Sequence, residues 1–334
     1  MSSDIVEIRC STGRWELIFV NLMKLCTRWA RKLNVRGFEW LYASPRTGYS
    51  KIMAENSDLE ELCVDNTRFN DWTAVLKAFP KLVVVRTSAR DFASMLLVAS
   101  TELACLKEVV FCEWPQNKCI VSAHQALYKH QKKCPNLETL KYVATPLAQI
   151  RLPARFPKKG TIPSIKHVKV TDHTVECCSP LNYSALTALQ KAFPSLESVE
   201  ITAHTDCGHY CEFFSVSEKL PTIDRFYRTL ESLNIGFTIK VTYREKITFC
   251  KTQGNPLHPH FLTKGKVSGT PEKFTVKTSY PGKELIYEVD ISQFEDYDEN
   301  DNEDEYVYDD YDSPLDYAYR MMAHVAYDDD YDYL

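Results

Sequence analysis

Residues 192–204 read AFPSLESVEITAH. Within them Leu196, Val199 and Ile201 fit the spacing L-x-x-L-x-L, and the fold turns on whether that spacing is one strand or one copy of many. It recurs along the chain. Leu59, Leu62 and Val64 carry it in LEELCVDN, Leu82, Val85 and Thr87 in LVVVRTS, and Leu106, Val109 and Phe111 in LKEVVFC. Leu137, Leu140 and Tyr142 carry it in LETLKYV, Ile165, Val168 and Val170 in IKHVKVT, and Leu230, Leu233 and Ile235 in LESLNIG. The leading residues stand 23, 24, 31, 28, 31 and 34 positions apart. Four copies follow a proline lead-in: FPKL, CPNL, IPSI and FPSL. Proline ends a preceding helix and turns the chain into the next strand. Between copies lie WTAVLKAF, RDFASMLLVAS, AHQALYKHQKK and SALTALQKAF, with apolar residues at helical spacing. Ser184, which opens the last of these, is the expected N-cap.

Ordered copies with a shared lead-in are the signature of a repeat array. The pattern resembles a leucine-rich repeat protein of the irregular, long-repeat kind. The resemblance implies an α/β solenoid with parallel strands on the concave face and helices on the convex face. Only LEELCVDN keeps the asparagine expected at the end of the motif. The expected division is a helical N-terminal cap over residues 1–54, repeats over 55–240, a β-rich cap over 241–293 and a disordered acidic tail over 294–334. Three or four strands are expected in the β-rich cap from the alternation in FTIKVTYREKITFCKT, KFTVKTSY and ELIYEVDI.

The cap is expected to be a helix over 14–33, with Leu17, Ile18, Leu22, Leu25, Trp29 and Leu33 on its apolar face. Its LIFVNLMKLCTRWARKL also resembles the end of an F-box, with Cys26, Arg28 and Trp29 matching and the Leu-Pro opening missing. That resemblance implies a ubiquitin-ligase scaffold as partner.

The chain has 334 residues and 44% hydrophobic content, enough for a sizeable core. Charge is split. Residues 294–334 hold 16 Asp/Glu against Arg320 alone, so the net −5 divides into a body of +10 and a tail of −15. Nine tyrosines lie among those tail acids. Such a composition cannot bury enough apolar surface to order itself. No export signal and no apolar run of membrane-spanning length is read, so the 12 cysteines are expected as reduced thiols in a cytoplasmic or nuclear protein.

Catalysis finds no support. There is no glycine-rich phosphate loop, no G-x-S-x-G and no H-E-x-x-H, so no cofactor is expected. His173, Cys177, His204, Cys207 and Cys211 are soft ligands suited to zinc, but no C-x-x-C pair occurs and the spacing fits no standard finger. No metal is therefore expected, with zinc as the alternative.

Strand alternation instead puts Arg86, Lys141, Lys169 and Glu200 in one row of the concave face, and Glu61 and His167 in the next. These six are the candidate partner-binding residues, with Arg86, Lys141 and Lys169 as a basic stripe. Aromatic residues do not interleave with the stripe, which disfavours nucleic acid. The expected function is a non-enzymatic protein-interaction module. The alternatives are a substrate receptor of a cullin-type ubiquitin ligase and an acidic-tailed chaperone of basic proteins.

Overall fold

The structure is a computed structural model. It describes residues 5–9, 30–36, 58–65, 72–100, 103–112, 117–143, 145, 147, 150, 161–172, 181, 183–205, 216–250 and 257–294. Residues 1–294 form one unit and Glu295–Leu334 a second, which lies outside the described residues.

The first unit is an α/β structure on a single open sheet of 12 strands. Nine strands follow chain order and pair in parallel: β1 (Ile5–Arg9), β2 (Lys32–Arg36), β3 (Glu61–Asp65), β4 (Val84–Thr87), β5 (Glu108–Phe111), β6 (Thr139–Val143), β7 (His167–Asp172), β8 (Ser198–Thr205) and β9 (Thr238–Cys250). The order then reverses. β12 (Lys283–Phe294) lies parallel to β9, and antiparallel β11 (Lys273–Tyr280) and β10 (Lys266–Gly269) close the row. The β11–β12 turn is Tyr280-Pro281-Gly282-Lys283, and Gly282 takes φ +70°, where an L side chain is strained. Helices α1 (Trp72–Ala78), α2 (Ala89–Val98), α3 (Asn117–His130), α4 (Tyr183–Ala192), α5 (Val216–Ser232) and α6 (Leu257–Leu262) are described between strands. None of the described helices is long and apolar enough to cross a membrane.

The lead-ins feed a common joint at the entries of β4 to β8. In two of the proline copies Leu137 N–H donates to the Cys134 carbonyl at 3.3 Å and Leu196 N–H to the Phe193 carbonyl at 3.0 Å. Pro135 and Pro194 thus stand at the second position of a tight turn, where their fixed φ fits. The residue after the leading apolar residue then offers one carbonyl to two amides of the next copy. The Glu60 carbonyl accepts from Val83 and Val84, Val83 from Lys107 and Glu108, and Lys107 from Glu138 and Thr139. Glu138 accepts from Lys166 and His167, and Lys166 from Glu197 and Ser198, all within 3.1 Å.

That joint fixes the register. Leu33, Leu62, Val85, Val109, Leu140, Val168, Val199 and Ile239 fall opposite one another as a column, each at most 2% exposed. A second column runs through Thr87, Phe111, Tyr142, Val170, Ile201 and Val241. Both columns share one core with Phe79, Phe92, Met95, Leu127, Leu189 and Phe193 of the helical layer. At its centre Phe92, Phe111 and Tyr142 form a chain of rings at 5.6 and 5.2 Å. Fully buried His124 on α3 bonds the Tyr142 hydroxyl at 2.6 Å, which satisfies a polar group in apolar surroundings. Burial pushes the Tyr142 phenol above its ordinary range, so it stays neutral.

The C-terminal end has an aromatic core of its own. Phe226, Tyr227, Tyr243, Phe261, Phe274 and Tyr287 contact one another between α5, α6 and β9–β12. The Tyr287 hydroxyl donates to the Glu245 carboxylate at 2.5 Å, and both residues are buried. Burial first, and the Glu245 charge second, hold the Tyr287 phenol well above its ordinary range.

Four expectations change. The strand after α5 is β9, with Ile239 and Val241 in the columns, so Leu230, Leu233 and Ile235 are not a seventh strand. Leu230 belongs to α5, and its apolar spacing is that of a helix packing on the core. The helix over 14–33 cannot reach its expected end, because Lys32–Arg36 is strand and Leu33 heads the first column. The rest of that helix, with Cys26, Arg28 and Trp29, lies outside the described residues. Ser184 lies inside α4, one residue past its start, and is not the N-cap. Finally, the sheet runs through both expected boundaries, since β1 and β2 precede residue 55 and β9 spans 240 and 241.

Leu140, on β6 and fully buried, tests the register. Leu140→Asp places an unpaired carboxylate in the core at a cost of several kcal/mol, enough to consume much of a domain's stability. Thermal melting by circular dichroism is expected to show cooperative loss of structure at a much lower temperature. A parental melting curve would remove Leu140 from the column.

Candidate interaction surface

The alternation that buries two columns presents the intervening residues on the opposite, outer face of the sheet. The register gathers all six candidate residues there. Arg86, Val110, Lys141, Lys169, Glu200 and Lys240 succeed one another across β4–β9 in one row. Glu61 and His167 stand two residues earlier on their strands, in the neighbouring row with Thr139 and Ser198.

The basic stripe is not uniform. Glu61 holds Arg86 Nε at 2.8 Å and Lys32 Nζ at 3.1 Å, so Arg86 is already neutralised. The Arg86 Nε–H does not point along that contact, which is an ion pair without a hydrogen bond. Lys169 lies 3.6 Å from Glu200, beyond hydrogen-bond distance. Lys141 forms no ion pair among the described residues. His167 Nδ1 and Ser198 Oγ bond each other at 2.8 Å, so His167 is a scaffold for Ser198 and not a free group.

Charge pairing continues over the C-terminal strands. Arg244 meets Glu288 at 2.6 Å and Lys273 meets Asp290 at 2.9 Å, around a cleft of about 500 Å³ that His204 and Lys246 also line. Sequence reasoning missed this region because its residues come from β8, β9, β11 and β12, whose adjacency needs the reversal of strand order. His204 faces Arg244 across β8 and β9. The other residues weighed for zinc, His173, Cys177, Cys207 and Cys211, lie outside the described residues. No cluster of three or more metal-ligating side chains occurs among the described residues.

No protein-family model matches the chain, and no curated protein matches it.

Glu61 sets the charge of the outer face at its N-terminal side. Glu61 is only 16% exposed and holds two cations, so Glu61→Gln, which keeps its shape and loses its charge, is expected to lower the melting temperature while leaving the fold intact. It also releases Arg86 and Lys32. The variant is expected to elute from a heparin column at higher salt than the parent. Unchanged elution would mean that Arg86 is not reachable from solvent.

Proposed function

We propose that the chain is a non-enzymatic protein-interaction module, a leucine-rich-repeat solenoid that binds a partner on the concave side of its sheet. The carrying observation is the row Arg86, Val110, Lys141, Lys169, Glu200, Lys240, presented by strands in chain order and backed by one continuous core. Parallel strands that advance one place at a time need crossovers of a single hand, and the right-handed rule puts those crossovers on one side. That leaves the other side of the sheet for a partner, as solenoids use it. The side chains there are charged and hydroxylic on a rigid backbone, suited to recognition. Cys105 and Cys134 are free thiols, which supports a reducing compartment such as cytoplasm or nucleus.

The test is affinity capture from native cells with the parent and with Lys141→Glu, Lys169→Glu. Both side chains project from the sheet away from its core, so the fold is expected to survive by circular dichroism while the principal partner is lost. Retention of the partner by a folded double variant would place the interface elsewhere.

A further inference from the structure

The outer face is partly covered over β3–β5, at Cys63 and Val110, and more exposed over β7–β9. Val110 is fully buried and Cys63 is 5% exposed, while Arg86 between them keeps its side chain 38% exposed although its Nε is covered. By contrast the side chains of Lys169, Glu200 and Lys240 are 42%, 50% and 51% exposed. Over the open half two rows run side by side. One is Lys141, Lys169, Glu200, Lys240. The other, two residues further along each strand, is Thr171, Thr202, Thr242, in register on β7, β8 and β9. Each of these threonines is half-buried and makes no side-chain hydrogen bond to another described residue.

We propose that this open half, β6–β9, takes an acidic peptide segment of a partner protein, with Lys141 and Lys169 receiving its carboxylates and the threonine row supplying neutral donors beside them. The inference rests on the outer face being the partner surface and adds the chemistry of the partner. Lys141 has no ion pair among the described residues, and the Lys169–Glu200 contact is long enough to be exchanged for a better one. Lysine carries three donors and no acceptor, so a carboxylate, with several acceptor sites, can engage the two adjacent lysines at once. The spacing fits. Neighbouring strands lie about 4.8 Å apart, and the two rows are about 6.6 Å apart along the strand, the interval at which an extended peptide repeats side chains on one side. On the sheet-facing side of such a peptide, an acidic residue over the lysine row therefore brings the residue two positions on, a small polar one, over the threonine row.

A nucleic acid fits less well. The aromatic residues of the described strands β5, β6 and β9 at these positions, Phe111, Tyr142 and Tyr243, are buried in the core, and no aromatic side chain stands in either outer row to stack a base. Glu200 also interrupts the track that a phosphate backbone would follow.

The test uses the full-length chain and a fluorescein-labelled peptide repeating Glu-Gly-Ser-Gly, which sets Glu and Ser in turn on one side, followed by anisotropy at low and high salt. Binding is expected, weakening with salt, and Lys141→Ala with Lys169→Ala together are expected to weaken it about tenfold, several charge pairs of modest strength being lost at once. Thr202→Val is expected to weaken it less. Circular dichroism checks the fold of each variant. Equal binding of a Gln-Gly-Ser-Gly repeat peptide, tighter binding of single-stranded RNA, or full retention by the double lysine variant would each overturn the inference. If the acidic peptide fails to bind while the native partner is still lost in the lysine double variant, the partner surface stands and its acidic chemistry falls.

Discussion

One carbonyl per copy, shared between two amides of the next, is the constraint on which the rest of the structure depends. A carbonyl has two lone pairs, and using both at the strand entry leaves no freedom to slide by one residue. A slip of one would also turn every side chain to the other face. The joint recurs from Glu60 through Lys166 with hardly any variation in distance, although the segments between copies differ in length. Length differences are absorbed in the helices and turns, while the strand entry is held constant.

Both faces follow from that. On one, Leu62, Val85, Val109, Leu140, Val168 and Val199 stack at full burial, so each strand is covered by its neighbours in one continuous core. On the other, charged and hydroxyl side chains are lined up by the same register without having been selected to touch the core. The C-terminal strands end the array differently. Long β9 and β12 pair over 12 residues, and the aromatic cluster around Tyr287 covers the last column. The open edge is short β10, carrying Lys266 and Gly269, which makes it a poor template for adding another strand.

Strands β3 to β8 were legible in the sequence from their apolar spacing, and β9, β11 and β12 from period-two alternation. LESLNIG has the same spacing and misleads, since Leu230 and Leu233 also satisfy the helical interval and α5 packs them on the core before the chain reaches β9. The end of the expected N-terminal helix misleads in the same way, because Leu33 fits either period and the sheet claims it. The outer rows were legible from alternation alone. Their ion pairs were not, because the Glu61–Arg86 pair joins residues on neighbouring strands and depends on register to the residue. The closure of the face over Val110 was equally hidden, since alternation predicts direction but not cover.

Amide hydrogen exchange, resolved by residue, tests the central claim most directly. The account predicts that both amides of every central strand entry are strongly protected: Lys107 and Glu108, Glu138 and Thr139, Lys166 and His167, Glu197 and Ser198. Protection should fall toward the ends of the sheet, as expected when each copy is held only by its neighbours. Rapid exchange of either amide in any one of those central pairs, in a chain that is otherwise folded, would contradict the shared-carbonyl joint and the register built on it.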